Sequence, residues 1–227
     1  LKVISEPDKG QSNAINKGFR LATGEIIAWI NSDDTYLPGT FERVIRELDR
    51  TRDRYVVMGK CIFVDENGKP NGYEHPSAYR NRARLLKVWK GNAIPQPAVF
   101  FYREVLDRSG LLDEDLHLCM DYELWIRMSR DYRFHEVDQT FATYRLHDQS
   151  KSVRYLNDVI DKAVEISKGY WGPVYEPLYW DCAVSLFLYR LRKSSIRWIK
   201  KQFPTLVRVI KKIPAFGFWR RWPEARS

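Results

Sequence analysis

The chain has 227 residues, of which 44% are hydrophobic and 14% aromatic, and this composition excludes a disordered or fibrous protein. Its three cysteines are far apart and odd in number, which argues against a disulfide framework or a zinc cluster and fits a reducing compartment. The net charge of +9 is uneven: residues 184–227 hold twelve Lys or Arg and one acid, whereas residues 1–183 carry a net −2. We see no signal peptide and no apolar run long enough to cross a bilayer.

Strand-like and helix-like segments alternate along the first two thirds of the chain. In chain order the patterns predict a strand end at 2–5, a helix at 10–22, a strand at 25–30, a helix near 38–48, a strand at 55–64, a helix at 79–90, a strand at 97–102, helices at 103–110 and 119–130, and one or two strands within 133–146. Residues 66–69 predict a hairpin turn, and helices dominate from about 153 to 213. This order predicts an α/β domain followed by a helical extension.

An acidic pair directly follows the predicted strand 25–30. Asp33 and Asp34 end the run Asn31-Ser32-Asp33-Asp34, at the carboxyl end of the strand, where open α/β sheets bind ligands. Two adjacent carboxylates suit a hard divalent cation that is shared with a substrate phosphate. The alternative is that both residues only form a turn or cap the next helix, since Asp favours both places.

Two other segments carry groups that suit an anion or a metal. The loop 5–12 opens a helix, and its Lys9 adds positive charge to a helix N-terminus, although a plain helix start is the alternative. His147 and Lys151 follow the last predicted strand, where they could reach a metal and a phosphate. A lone histidine is more often an ordinary residue, so neither segment is specific by itself.

Asp121 is a candidate general base. It precedes Leu124 and Trp125 by three and four residues on the predicted helix 119–130, so it lies on or beside the apolar face. A carboxylate that is partly desolvated in this way suits proton abstraction. The alternative is an acid that is favoured at a helix N-terminus by the helix dipole.

Taken together, six short motifs resemble glycosyltransferase family 2, and their order and spacing are specific over residues 1 to about 152. They are Ser5–Gly18, Ala22–Asp34, Pro95–Phe101, Gly110–Glu114, Met120–Trp125 and Tyr144–His147. The resemblance implies an α/β, Rossmann-like A-type glycosyltransferase (GT-A) fold. It also implies transfer of a hexosyl or N-acetylhexosaminyl group from a nucleotide-diphosphate sugar, with a divalent cation, Mn or Mg.

The resemblance implies roles for individual residues. Asp34 would coordinate the metal on the donor diphosphate, and Asp33 would lie near the ribose or share the metal. Asp121 matches the catalytic base, and His147 matches a histidine that in some members reaches the metal or the diphosphate. Asn31 stands where many members have another Asp, so fewer carboxylates would hold the metal. The remaining donor-binding residues implied by the match are Lys9, Gln11, Asn16 and Gln96.

Members of the family begin with a strand, a helix and a second strand that carries a base-reading Asp, and all of these would precede residue 1. By that comparison the catalytic domain lacks its N-terminal portion, about 50–70 residues at ordinary βαβ sizes. We therefore expect an incomplete catalytic domain at 1–152 and a basic amphipathic helical extension at 153–227.

The basic extension has the pattern of a membrane-surface helix. In 206–213 and 186–203, apolar and basic residues fall on different sides of a helical wheel. Interfacial aromatic residues accompany them, namely Trp198, Phe216, Phe218, Trp219 and Trp222. We expect peripheral membrane contact through 184–222, with a helix packed on the catalytic domain as the alternative. No nucleic acid is expected, because no reading motif accompanies the charge.

We therefore predict an inverting, metal-dependent glycosyltransferase at the cytoplasmic face of a membrane. It would move a sugar from a donor, expected to be UDP-linked, to a hydroxyl of a glycan or lipid-linked acceptor in cell-envelope polysaccharide biosynthesis. One base without a carboxylate nucleophile would mean a single displacement with inversion. The alternatives are a non-catalytic nucleotide-sugar or partner-binding domain, a basic peripheral protein that binds lipid or nucleic acid, and a nucleotidyltransferase.

Overall fold

The computed structural model describes residues 2–75, 78–146, 150 and 154–202, with side-chain placement omitted for 156, 157 and 196–202. The described chain divides after Cys182 into two compact units. The predicted domain boundary at residue 152 stays a prediction. The predicted helix 206–213 and most of the aromatic residues of the basic extension lie outside the described residues.

Five strands and seven α-helices form the described structure. The strands are β1 (Ile26–Ile27), β2 (Val56–Val64), β3 (Pro70–His75), β4 (Val99–Tyr102) and β5 (Phe134–Arg145). The helices are α1 (Gln11–Leu21), α2 (Thr40–Glu47), α3 (Arg82–Leu86), α4 (Arg103–Ser109), α5 (Met120–Met128), α6 (Leu156–Lys168) and α7 (Pro177–Gln202). Short 3₁₀ turns cover Arg50–Arg52, Val88–Lys90 and Gln96–Ala98.

Strand β2 is the centre of the sheet. It pairs in parallel with β5 along one side, and on the other side it pairs antiparallel first with β4 and then with β3. Strand β1 lies at the outer side of β4, to which it is antiparallel. Strands β1, β2 and β5 therefore run in the same direction, and β4 runs against them.

The apolar strands explain why the core lies around β2 and β4. Val56, Val57 and Met58 are fully buried, and all four residues of β4 are buried. Gly59 allows β2 and β5 to approach closely, because a Cβ at this position would lie 2.5 Å from the ring of Phe141. The near-continuous apolar runs are typical of strands covered on both faces.

Helix α6 packs in the same unit as the sheet. The hydroxyl of Ser167 donates a 2.5 Å hydrogen bond to the carbonyl of Leu86 and accepts one of 2.8 Å from the indole N–H of Trp171. Trp171 also packs edge-on against Trp89, with 6.0 Å between ring centroids. These buried contacts join the helix after residue 153 to the α/β region.

Several predicted elements are confirmed. Helix α1 falls within 10–22, helix α4 within 103–110 and helix α5 within 119–130. The predicted hairpin joins β2 to β3, with Gly68 at φ 81° and the Asp65 carboxylate accepting two backbone N–H bonds of 2.9 Å. These segments carry their determinants locally, in helical periodicity or in turn residues.

Other predicted elements were wrong in extent or type. Residues 2–5 are exposed and form no strand, because no described strand lies beside them to complete a hydrogen-bonded ladder. Only 26–27 of the predicted strand 25–30 pair with a neighbour. The predicted helix 79–90 is a five-residue helix followed by a 3₁₀ turn. Within the described part of the chain, no helix has both the length and the hydropathy to span a membrane.

Candidate functional site

The sheet direction gathers polar segments at one edge. The carboxyl ends of β1, β2 and β5 meet there, and β4 begins there because it runs against them. The segments at this edge are the acidic run 31–34 after β1, the turn 65–69 after β2, Gln96 before β4, and Arg145 at the end of β5. This is the edge at which open α/β sheets bind ligands.

The acidic run forms a tight turn that buries one carboxylate. The N–H of Asp34 donates a 3.2 Å hydrogen bond to the carbonyl of Asn31, and the Asp34 residue is only 8% exposed. Its Oδ2 accepts a 3.3 Å bond from the Asn31 amide, and its Oδ1 accepts a 2.8 Å bond from the backbone N–H of Arg145. The prediction that the acidic pair forms a turn is therefore correct, and a hydrogen bond from β5 holds the Asp34 carboxylate at the edge of the sheet.

The helix-capping alternative for the acidic pair is wrong. Helix α2 begins at Thr40, and its N-cap is Gly39, which has a left-handed backbone and no side chain. Pro38 precedes the helix, which was predicted to begin near residue 38. Asp33 and Asp34 are thus several residues too early to cap α2.

Burial raises the pKa of the Asp34 carboxyl. The N–H of Arg145 and the amide of Asn31 act in the opposite direction by stabilising the carboxylate, and the neighbouring charge of Asp33 raises the pKa further. Two adjacent carboxylates in a partly dry turn repel each other, and a nearby cation would relieve that repulsion. The electrostatics of this turn therefore favour a bound cation.

Arg145 fixes the acidic turn to the hairpin turn, and sequence reasoning missed this role. Its Nε donates a 2.8 Å bond to the carbonyl of Asp33. Its terminal nitrogen donates bonds of 3.0 Å to the carbonyl of Asp65 and 2.7 Å to that of Glu66. One guanidinium thus bridges the ends of β1 and β2 from the end of β5. The signal available was an arginine two residues before His147 in a matched motif.

The start of helix α1 contacts the acidic turn. The amide of Gln11 donates a 3.1 Å hydrogen bond to Oδ1 of Asn31. Lys9 is exposed just before the helix, where its backbone N–H donates a 3.3 Å bond to Asn13. The N-cap is Gly10, which offers no side-chain oxygen to the first-turn N–H groups. The first turn of α1 therefore presents backbone donors near the carboxylates.

Gln96 lies at the same edge of the sheet, directly before β4, the strand that pairs with β1. Its amide donates a 2.9 Å bond to the carbonyl of Trp29, and the residue is 8% exposed. The bond fixes the segment between β1 and the acidic turn, which lies beyond the paired residues 26–27.

Asp121 is the second residue of helix α5. Cys119, before it, has a left-handed backbone with φ 62°, a conformation that non-glycine residues adopt at a cost. Burial raises the pKa of the Asp121 carboxyl, against the opposing effect of the N–H groups of Tyr122 and Asp121 itself. A raised pKa at a helix N-terminus, where the dipole would lower it, means that desolvation is the larger effect.

Two contacts bring helix α5 to the acidic turn. Trp125, one turn after Asp121, stacks on Trp29 with ring centroids 5.1 Å apart, and Trp29 lies two residues before Asn31. The sulfur of Met120, just before Asp121, accepts a 2.8 Å hydrogen bond from Ser12 in the first turn of α1. The candidate base and the acidic pair therefore belong to one cluster of elements.

Asn16 has a different environment from the other predicted donor-binding residues. It is 1% exposed, and its amide makes three hydrogen bonds, two with the backbone of Leu112 and one with Glu114. These contacts support a structural role, because they attach α1 to the segment before α5. His147 and Lys151 lie outside the described residues.

The donor atoms at the acidic turn fit a hard divalent cation. In the described ranges, no group of three or more His, Cys, Asp and Glu side chains comes together as a complete metal site. Mg²⁺ in particular is commonly held by one or two carboxylates together with substrate phosphates and waters. Asp33 and Asp34 would supply such a partial set of oxygen ligands.

Comparisons with known proteins match this chain to glycosyltransferases. Residues 1–110 match the family model described as "Glycosyl transferase family 2". An uncharacterized glycosyltransferase of Methanocaldococcus jannaschii is 27% identical over 63% of this chain and 50% of its own length. The uncharacterized glycosyltransferase YwdF of Bacillus subtilis is 27% identical over 63% of this chain and 53% of its own. The chain thus spans about half the length of these relatives.

Solved structures support the fold. TarS 1–349 of S. aureus, crystallised in complex with UDP-GlcNAc, superposes with a TM-score of 0.51 at 15% identity, over 70% of this chain and 48% of that one. A second TarS 1–349 structure gives a TM-score of 0.53 at 15% identity, over 90% and 61% of the two chains. The fold is therefore that of the A-type glycosyltransferases.

The fold and the sequence matches of this chain are similar to those of glycosyltransferases. More narrowly, residues 1–110 are similar to glycosyltransferase family 2, and the relatives support a domain of that family.

Proposed function

We propose that this chain carries the transfer site of an inverting glycosyltransferase. The donor is a nucleotide-diphosphate sugar, expected to be UDP-linked, and the acceptor is a hydroxyl of a glycan or lipid-linked molecule. One observation carries the proposal. Trp125 of helix α5 stacks on Trp29, and this contact joins the helix that holds the desolvated Asp121 carboxylate to the buried acidic turn. The donor class agrees with the nucleotide sugar bound to TarS in its crystal structure.

On the donor side, the chain would hold the diphosphate at the acidic turn. Asp34 and Asp33 would hold Mn²⁺ or Mg²⁺, which supplies charge neutralisation for the leaving diphosphate when bound. Gln11, in the first turn of α1, is hydrogen-bonded to Asn31 of this turn, and Lys9 lies two residues before it, so this segment would favour anionic oxygens. The amides of Gln11 and Gln96 hold the backbone and side chains of this edge in place.

On the acceptor side, Asp121 would remove the proton of the attacking hydroxyl. Its raised pKa makes it a better base than an exposed aspartate. The new bond to the anomeric carbon forms as the bond to the diphosphate oxygen breaks, and the proton passes to Asp121. A single displacement of this kind inverts the anomeric centre.

We also propose that the second unit lies on an anionic membrane surface. The spacing of four apolar residues in helix α7 places them on one face of the helix. They are Val184, Phe187, Leu188 and Leu191, and they are 51, 60, 58 and 49% exposed. Lys193 projects from the opposite side of the helical wheel, and Arg190, three residues after Phe187, borders the apolar face. An apolar face with basic residues opposite is typical of interfacial helices, which supports a peripheral location at the cytoplasmic face.

The transfer proposal is tested by release of UDP from a panel of UDP-sugars with Mn²⁺, using wild type and Asp121→Asn. We expect the variant to lose about 10²–10⁴-fold in turnover, the usual contribution of a general base. Asp107→Asn is the matched control, since Asp107 is an exposed aspartate on α4. Equal turnover in wild type and Asp121→Asn would contradict the assigned base. Binding of UDP without any turnover by wild type would favour a non-catalytic nucleotide-sugar-binding domain.

A further inference from the structure

A second polar cavity lies at the edge of the sheet opposite the acidic turn. It has a volume of about 470 Å³, and three separate segments line it: 52–54 after α2, 79–80 before α3, and 133–136 at the start of β5. The parallel pairing of Val56 with Phe134 sets the amino ends of β2 and β5 side by side. This cavity is therefore distinct from the candidate transfer site.

The cavity carries an excess of positive charge. Its lining includes the four arginines Arg52, Arg54, Arg80 and Arg133, together with His135, and two carboxylates, Asp53 and Glu136. A third carboxylate nearby, Glu47, is shared among three basic groups: Arg43 at 2.6 Å, Arg54 at 3.0 Å and His135 at 3.1 Å. With Arg43 included, the five arginines of this edge outnumber its four carboxylates by one, since Asp49 pairs with Arg52, and His135 adds a further basic group.

Arg80 and Arg133 stand out within this set. Whereas Arg54 pairs with Glu47 and Arg52 with Asp49, these two form no ion pair with any residue in the described ranges. Tyr79, directly before Arg80, is 6% exposed and packs on Phe134, directly after Arg133, with ring centroids 5.0 Å apart. The two arginines therefore border an ordered aromatic pair. Their guanidinium groups make no hydrogen bond in the described ranges, although the charge of Arg80 also acts on Glu136.

We propose that this cavity binds a phosphate group, carried by a small soluble ester or by a lipid headgroup. Guanidinium groups match phosphate oxygens in planar, two-point geometry, which favours phosphate over a simple point anion such as chloride. The three converging segments come from distant parts of the sequence, so folding assembles the charge at one place. The inference does not depend on the transfer reaction at the other edge.

The test is titration of the whole chain with inorganic phosphate and pyrophosphate by calorimetry, in low salt with EDTA. Arg80→Gln/Arg133→Gln is compared with Arg46→Gln/Lys168→Gln, which removes two exposed positive charges elsewhere. In parallel, flotation with phosphatidylcholine vesicles, with and without phosphatidic acid, tests the headgroup.

We expect phosphate affinity to fall at least tenfold in Arg80→Gln/Arg133→Gln and to be retained in Arg46→Gln/Lys168→Gln. Loss of phosphatidic-acid-dependent flotation in that variant alone, without binding of soluble phosphate, would support the headgroup as the source. The proposal is overturned when wild type binds neither probe, or when the control with two charges removed loses as much as Arg80→Gln/Arg133→Gln. Circular dichroism of each variant confirms that it is folded.

Discussion

The backbone N–H of Arg145 lies 2.8 Å from Oδ1 of Asp34 and donates a hydrogen bond to it. The two residues are 111 positions apart in the sequence, so the last strand of the sheet positions the carboxylate that follows the first. The Arg145 side chain then binds the carbonyl of Asp33 and two carbonyls of the turn after β2. The acidic turn is therefore fixed by three strand ends at once.

Arg145→Lys should loosen this edge. A lysine carries a compact ammonium group and cannot span the carbonyls of Asp33, Asp65 and Glu66 together. We expect the free energy of unfolding to fall by about 1–3 kcal/mol, the usual range when charged hydrogen bonds to partly buried groups are lost. Guanidinium chloride denaturation measures it, with Arg46→Lys, an exposed arginine, as the control. An unchanged midpoint for Arg145→Lys would contradict the bridging role.

The pH dependence of turnover should follow Asp121. Because burial raises the pKa of this carboxyl, the base becomes protonated at a higher pH than an exposed aspartate would. We expect the acidic limb of the kcat/KM profile to lie above the ordinary aspartate pKa, and turnover to fall as pH drops through it. Asp107→Asn should leave the limb in place. A profile flat down to pH 4 would contradict the assignment.

Asp121→Asn should also stabilise the fold at neutral pH. The folded-state pKa is raised, so ionising Asp121 costs more in the folded than in the unfolded state, and that cost is fully present above the folded-state pKa. Asp121→Asn removes this free-energy cost, and its gain in stability over wild type disappears as pH falls below the unfolded-state pKa. Thermal melts at pH 7 and pH 3.5 measure both conditions. A variant less stable than wild type at pH 7 would show that the carboxylate is stabilising.

Replacing Gly59 and Gly18 with alanine should change the free energy of unfolding in opposite directions. At Gly59 a new Cβ would lie 2.5 Å from the Phe141 ring and 2.6 Å from the carbonyl of Gln139, so Gly59→Ala must displace β5. We expect a loss of about 1–3 kcal/mol or more, as for other overpacked cores. Gly18 lies within α1 with no atom within 4 Å of a new Cβ, so Gly18→Ala should gain about 0.5–1 kcal/mol. Denaturant midpoints test both, and a stable Gly59→Ala would contradict the close β2–β5 approach.

Membrane contact should depend on the exposed face of α7. Phe187→Ser/Leu188→Ser removes two large apolar side chains from that face, and each is worth roughly 1.5–3 kcal/mol when fully buried. We expect binding to phosphatidylglycerol vesicles to weaken at least tenfold. Leu21→Ser/Ile45→Ser makes the same change at exposed residues of the first unit and should bind as wild type. Equal binding by both double variants would contradict membrane docking through α7.

The sequence predicted those parts of the fold that depend on local patterns. The hairpin at Gly68 and the helix containing Asp121 are correct, because turn residues and helical periodicity are short-range signals. The same periodicity was a poor guide to burial on α2, where Val44 is buried and Ile45 is 63% exposed. Apolar spacing predicts that the segment is a helix, but not which of its apolar side chains other parts of the protein will bury.

The candidate site was predicted in outline through motifs, whereas its supporting contacts were not. Asp34 was identified from its position after a strand, but nothing nearby in the sequence indicates that Arg145 binds it. Likewise, the stacking of Trp29 on Trp125 joins residues 96 positions apart. Such contacts follow from strand order and direction, which local patterns leave open.

The central claim is that Asp34 lies at the donor diphosphate. We would titrate the chain calorimetrically with UDP, with and without Mn²⁺, beside Asp34→Ala and the exposed control Asp107→Ala. The account predicts binding that requires Mn²⁺, is lost in Asp34→Ala and is retained in Asp107→Ala. Binding of equal strength in wild type and Asp34→Ala, or binding that is indifferent to Mn²⁺, would contradict it.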